Sequence, residues 1–181
     1  MSEEAQVRKT ADRRPASDEY DAYYGDYISK VPEGNLIDVL NEQQQRIETL
    51  VRTIPESKLD FRYAPGKWTT REVVCHMLDT EWIFVVRALR IARGNTTPLP
   101  SMDQNAFING GSFDAYGAFD LAKQFTHLRS AAIALFGGFD ERVRDRRGTA
   151  SGLAVSVRAL MFIVAGHAEH HLGVLRERYL S

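Results

Sequence analysis

Residues 156–180 read SVRALMFIVAGHAEHHLGVLRERYL, and this stretch decides the fold class. Ser156 is a helix N-cap residue, and no proline interrupts the run that follows to about Tyr179. At about 100° per residue, His167 and His171 lie about 40° apart on one helix face, and His170 sits roughly 60° away on its flank. Leu160, Ile163, Val164, Val174 and Leu175 all fall within about 80° of His167. The histidine pair therefore lies inside the apolar stripe of a long helix.

Three further segments share that helical periodicity. From about Asn35 to Arg52, apolar residues recur as Leu36, Val39, Leu40, Ile47, Leu50 and Val51 with polar residues between. Thr69-Thr70-Arg71-Glu72 reads as a capping box, with Thr69 as N-cap and Glu72 at the third position. It opens a helix expected to reach about Arg93 and to stop at Gly94. The third such segment spans about Tyr116 to Phe136, ahead of Gly137-Gly138. The polar segment DERVRDRRGTASGLAV after it is irregular, with room for a short hairpin. No alternating strand pattern is long enough to build a sheet. Four long amphipathic helices imply an all-α four-helix bundle, an architecture that builds metal and cofactor sites from side chains on facing helices.

Composition narrows the function without naming it. The chain has 181 residues, 44% hydrophobic and 26% charged, which suits one domain with a sizeable core. Residues 1–19 carry mixed charge and few large apolar side chains, so they are expected to form a flexible arm, disordered or loosely docked, before a single domain over residues 20–181. One cysteine excludes a disulfide framework and thiolate zinc clusters. A formal charge of -1 gives no basic footprint for nucleic acid or an anionic membrane surface. No apolar run is long enough to span a bilayer, and the N-terminus lacks a secretory signal, which points to a cytoplasmic protein.

The histidines carry the chemistry. Two imidazoles at i and i+4 can reach one metal ion, as in the zinc-protease helix motif. Ala168 stands where that motif needs its general base, and Glu169 is one place late, which argues against a metalloprotease. Metal ligation competes here with a pair of hydrogen-bonded core histidines. Two inward imidazoles are costly to satisfy otherwise, since each ring has two nitrogens needing partners. A third ligand would come from His76 on the second helix or His127 on the third. His76 shares its face with Thr69, Thr80, Ile83 and Arg87, which suits a wet cavity wall, while His127 reads as surface. Asp79 is placed to orient His76 through its free ring nitrogen.

The stretches GKWTTREVVCHMLDTE (66–81), PLPSMDQNAF (98–107) and the ending quoted above resemble the DinB superfamily and its YfiT-like branch. The resemblance covers about Asn35 to Leu180. It implies a four-helix bundle in up-down-down-up order, often a homodimer, with a divalent metal on His76, His167 and His171. His170 matches a common family position outside the ligand set. Zinc or nickel is the implied metal. The implied activities are thiol-dependent S-transfer with a low-molecular-weight thiol, or hydrolysis of a small-molecule substrate. The alternative is a non-catalytic, metal-binding, stress-associated dimeric bundle. Three imidazoles leave coordination positions open, as catalytic zinc sites do. In the loop from Asn95 to Ser112, Asp103, Gln104 and Asn105 are candidates for substrate contact, against a plain role in turn capping. Cys75 reads as inert core.

Overall fold

The computed structural model describes residues 11–181. Four long helices dominate: α2 (Leu36–Arg52), α3 (Thr70–Ala92), α5 (Ala118–Gly137) and α7 (Val157–Val174), with a short α1 (Gly25–Ser29) before them and α4 (Gln104–Gly110) and α6 (Glu141–Arg144) between them. An antiparallel hairpin, β1 (Arg147–Ala150) and β2 (Leu153–Ser156), precedes α7. Its two-residue turn, Ser151-Gly152, has positive φ at both positions, 56° and 78°, as a primed hairpin turn requires.

Local sequence sets the helix starts. Asn35 caps α2 by accepting from the N–H groups of Ile37 and Asp38, and Ser156 caps α7 by accepting from Ala159. The expected capping box opens α3: Glu72 N–H donates to Thr69 Oγ1 at 3.0 Å, and Thr69 N–H donates to the Glu72 carboxylate at 2.6 Å.

Side-chain pairings set the helix directions. Gln43 reaches Ala165 and Glu169, and Arg46 reaches Glu169, so α2 and α7 run parallel. Arg71 meets the Tyr116 carbonyl and Glu81 meets Arg129, so α3 and α5 are parallel too. Gln44 bonds to Thr126 and Ser130, while Arg52 lies over Phe119, which makes α2 and α5 antiparallel. The order is up-down-down-up, with long connections carrying the chain between diagonal helices.

The core is split into two apolar clusters. One includes Leu36, Leu40, Phe84, Ala88, Phe136 and Leu160. The other includes Ile47, Val51, Val74, Leu121, Phe125 and Leu172. A polar layer lies where they meet. Arg129 on α5 is 0% exposed and makes a two-pronged pair with Glu81 on α3, Nε to Oε1 at 2.6 Å and Nη2 to Oε2 at 2.7 Å. Its Nη1 donates to Gln43 Oε1 on α2, and Gln43 Nε2 donates to Ala165 O (2.8 Å) and Glu169 Oε1 (3.0 Å) on α7. All four long helices are thus tied at one level.

Over residues 11–19, the described part of the expected arm, the chain is docked on the body. Arg13 donates to Glu19 and Asp145, Arg14 donates to the carbonyls of Val31 and Ile28, and Ser156 Oγ donates to buried Glu19 at 2.7 Å. Charge pairing with the body holds this segment where apolar content is low. Residues 1–10 of the expected arm lie outside the described residues. Further along, α1 lies against α7 because Gly166 leaves room for it: a Cβ there would sit 2.0 Å from the Tyr27 carbonyl oxygen. Among the described residues, no helix is long and apolar enough to cross a membrane.

Candidate metal centre

The helix phases bring His76 from α3 against His167 and His171 from α7. One ligand-capable ring nitrogen from each lies within 4.8 Å of the others. Among the described residues this is the one group of three or more His, Cys, Asp or Glu side chains so placed. His76 Nε2 and His167 Nε2 face each other at 3.2 Å, and the His167 and His171 rings are 4.5 Å apart. His127, the other candidate for a third ligand, is exposed on α5.

Burial controls the charge state of these rings. Desolvation, reinforced by the neighbouring imidazole of His170, pushes His76 down to about 4. Desolvation and the other histidines hold His167 and His171 well below the ordinary imidazole value. All three are therefore neutral at pH 7, with lone pairs available. His171 Nδ1 is buried without a hydrogen-bond partner, which is the signature of a group built for another partner. Three neutral nitrogens, two facing each other and one orphaned, fit a borderline divalent ion such as zinc or nickel.

The residue that orients His76 differs from the one expected. Its Nδ1 is 3.3 Å from Thr80 Oγ1, one helical turn on. Asp79 makes no hydrogen bond to that ring among the described residues, and its charge instead helps raise the Cys75 thiol. Desolvation raises the Asp79 carboxyl itself. Cys75 is buried and pushed up to about 12, chiefly by burial, as suits an inert core thiol. His170 stays outside the triad, with its ring 4.9 Å from His171 and 5.3 Å from Tyr27.

A cavity of about 430 Å³ opens beside His76 and His167. Its walls are Thr80, Ile83, Phe84 and Arg87 from α3, the aromatic segment Tyr23, Tyr24 and Tyr27, and Ser101 to Asn105 of the loop. Tyr27 packs 5.5 Å from the His167 ring and Phe84 packs 6.0 Å from it. Nothing local in the sequence shows that α1 crosses α7 beside His167, so this aromatic wall is a product of the fold. A smaller cavity of about 330 Å³ lies on the His170 and His171 side, behind Trp68 and Tyr179. Asp103, Gln104 and Asn105 do line the larger cavity, but the Asp103 carboxylate is engaged as the N-cap of α4, accepting from Asn105 at 2.9 Å and Ala106 at 3.1 Å.

The sequence model of the DinB superfamily matches residues 40–175, three quarters of the chain. The chain belongs to the DinB superfamily. Over 80 residues this DinB chain is 30% identical to YfiT of Bacillus subtilis (strain 168), to which metal-dependent hydrolysis is attributed. That match spans 44% of this chain and 45% of YfiT, about half the length of the curated relative. The solved structure of YfiT, described as having an unusual four-helix bundle topology, superposes with a TM-score of 0.69 at 18% identity. It covers 92% of this chain and 91% of that one. A DinB-like protein of Bacillus subtilis, YjoA, superposes with a TM-score of 0.58 at 21% identity, over 80% and 90% of the two chains. At these identities the superpositions show the shared bundle.

Proposed function

We propose that this DinB protein is a metal-dependent hydrolase of a small-molecule substrate, with His76, His167 and His171 as ligands of one divalent ion. The observation that carries this reading is the convergence of three desolvated, neutral imidazoles beside an open cavity. The hydrolase attribution of YfiT supports it. When bound, a divalent ion in a three-nitrogen set supplies Lewis acidity and an activated water. The chain's own residues do the rest. Thr80, with its hydroxyl against His76 Nδ1, holds the tilt of that ring. Tyr27 and Phe84 pack against His167, keeping its flank dry, and the cavity admits a substrate against the exposed edge of the triad.

Zinc and nickel both suit this donor set. Thiol-dependent S-transfer uses the same centre with a low-molecular-weight thiol in place of water, and a panel of thiols with electrophiles separates the two chemistries. The non-catalytic reading keeps the metal and shows no turnover with either panel. A cytoplasmic homodimer completes the proposal. Trp82 and Val86, one turn apart and exposed on α3, offer an apolar surface for it; light scattering that finds a monomer at all concentrations removes that part.

Metal analysis of freshly purified protein tests the core of the reading. About one divalent ion per chain is expected. His167→Ala should lose the ion with the helical circular dichroism intact, and chelation should abolish hydrolysis in an ester and amide screen. Metal-free protein, or full metal retention by His167→Ala, refutes it.

A further inference from the structure

Four arginines are buried among the described residues: Arg71, Arg87, Arg129 and Arg158. Three of them meet a carboxylate. Arg71 pairs with Asp60, Arg129 with Glu81, and Arg158 with Asp145 and Glu141. Arg87, 6% exposed, has no carboxylate within ion-pairing distance among the described residues. Its Nη2 donates to two neutral acceptors, the Pro100 carbonyl at 2.6 Å and Ser151 Oγ at 3.0 Å. Tyr24 and the face of Phe84, 5.8 Å away, complete its surroundings. A buried cation without a counter-charge is an expensive arrangement unless something else neutralises it.

Arg87 also lines the cavity that holds His76 and His167. The two ends of that cavity stand on one face of α3. His76, Thr80, Ile83 and Arg87 follow one another at three- and four-residue steps, which puts the backbone of Arg87 about 16 Å along the axis from that of His76. Between them the wall is largely apolar: Ile83, Phe84 and Met102, with Tyr24 opposite. No second basic side chain other than the histidines lines the space, and Asp103 stands among its lining residues. A single guanidinium favours a monoanion over a doubly charged phosphate ester.

We propose that Arg87 is the anchor for a carboxylate on the substrate, so that the cavity selects molecules with a carboxylate at one end and the reacting group at the other, separated by an apolar span. This rests on the reading of the histidines as the reacting end. The guanidinium is already held in place from three directions, by α3, by the 98–102 loop and by the hairpin, so little freedom is lost on binding. Both Nη2 hydrogens are taken by Pro100 and Ser151, so a carboxylate would accept a charge-assisted hydrogen bond from the Nε and Nη1 side of the guanidinium.

The test compares 3-phenylpropanoate with 3-phenylpropanamide, alike in shape and different in charge, by calorimetric titration of the zinc-loaded protein and of the chelator-treated protein. The carboxylate should bind about tenfold or more tightly than the amide, in both forms of the protein. Arg87→Gln should abolish that preference, and Arg87→Lys should keep a weaker one, since it retains the charge on a flexible stem that the loop and hairpin do not hold in place. Ser151→Ala removes a strut of the loop and hairpin but leaves the guanidinium, so its preference should match the wild type. Equal binding of acid and amide by the wild-type protein overturns the proposal, as does a preference that survives Arg87→Gln. A preference that disappears on zinc removal places the carboxylate on the ion and likewise overturns it. Failure of the hydrolase reading leaves the chelator-treated arm of the experiment intact, so the two outcomes are separable.

Discussion

Replacing Arg129 by Met removes the centre of the polar layer. Arg129 is fully buried, and Glu81 beside it is 3% exposed. Arg129→Met deletes two charge-assisted hydrogen bonds to Glu81 and one to Gln43. It also leaves a carboxylate inside the bundle with no counter-charge. Breaking a buried pair from one side costs about 3–5 kcal/mol. Lost stacking on Phe125, whose ring lies 4.9 Å from the guanidinium, is a smaller addition, offset by the thioether. For a chain of this size each kcal/mol lowers Tm by roughly 2–4 °C, so a drop of about 6–20 °C is expected. Urea unfolding with a double-mutant cycle checks it. Glu81→Leu combined with Arg129→Met removes both charges and should recover most of the loss, because an apolar replacement of a buried pair is often neutral or better. The reasoning fails if Arg129→Met loses less than about 1 kcal/mol, or if the double variant is no more stable than the single one.

Three further outcomes follow from the geometry. Thr80→Val removes the hydroxyl beside His76 Nδ1 at almost constant volume, and should lower metal affinity about 10–100-fold in a chelator competition; unchanged affinity means that Thr80 does not position the ring. Gly166→Ala drives a Cβ into the Tyr27 carbonyl, so α1 must lift, with a loss of about 1–3 kcal/mol and faster tryptic cleavage at Lys30; wild-type cleavage kinetics would count against this packing. Burial pushes the Glu19 carboxyl up, but hydrogen bonds from Ala16, Ser156 and Arg13 outweigh it, and its value lies below the ordinary 4.5. A depressed carboxyl stabilises the fold above its unfolded value and loses that contribution as pH falls through the folded one. Glu19→Gln should therefore lower Tm at neutral pH, with the gap to wild type closing below about 4.5; a gap constant with pH refutes the assignment.

Legibility in the sequence followed the range of the interactions. The capping box at Thr69 and Glu72 and the i, i+4 spacing of His167 and His171 are local, so they could be read directly. The pair of Arg129 and Glu81 could not, because a charged residue on an amphipathic helix reads as a solvated face until its partner on another helix is known. Asp79 and Thr80 are both polar neighbours of His76, and only the helix phase inside the folded bundle makes Thr80 the contact. The helix at Gln104–Gly110 is too short for its period to show, which kept Asp103 as a candidate contact when its carboxylate is a cap. Arg87 shared the predicted face of His76, but its lack of a counter-ion is a property of the whole fold.

The seat of α1 on α7 has a consequence for the order of assembly. Tyr27 lies ahead of α2 and Gly166 lies in α7, so α1 has no seat until α7 is in place. Contacts of such long sequence separation form late. The bundle halves can begin to collapse earlier, but α7 brings two histidines of the triad and the seat for Tyr27 together. The aromatic wall and two of the three ligands thus depend on one helix, so anything that displaces α7 disturbs both at once.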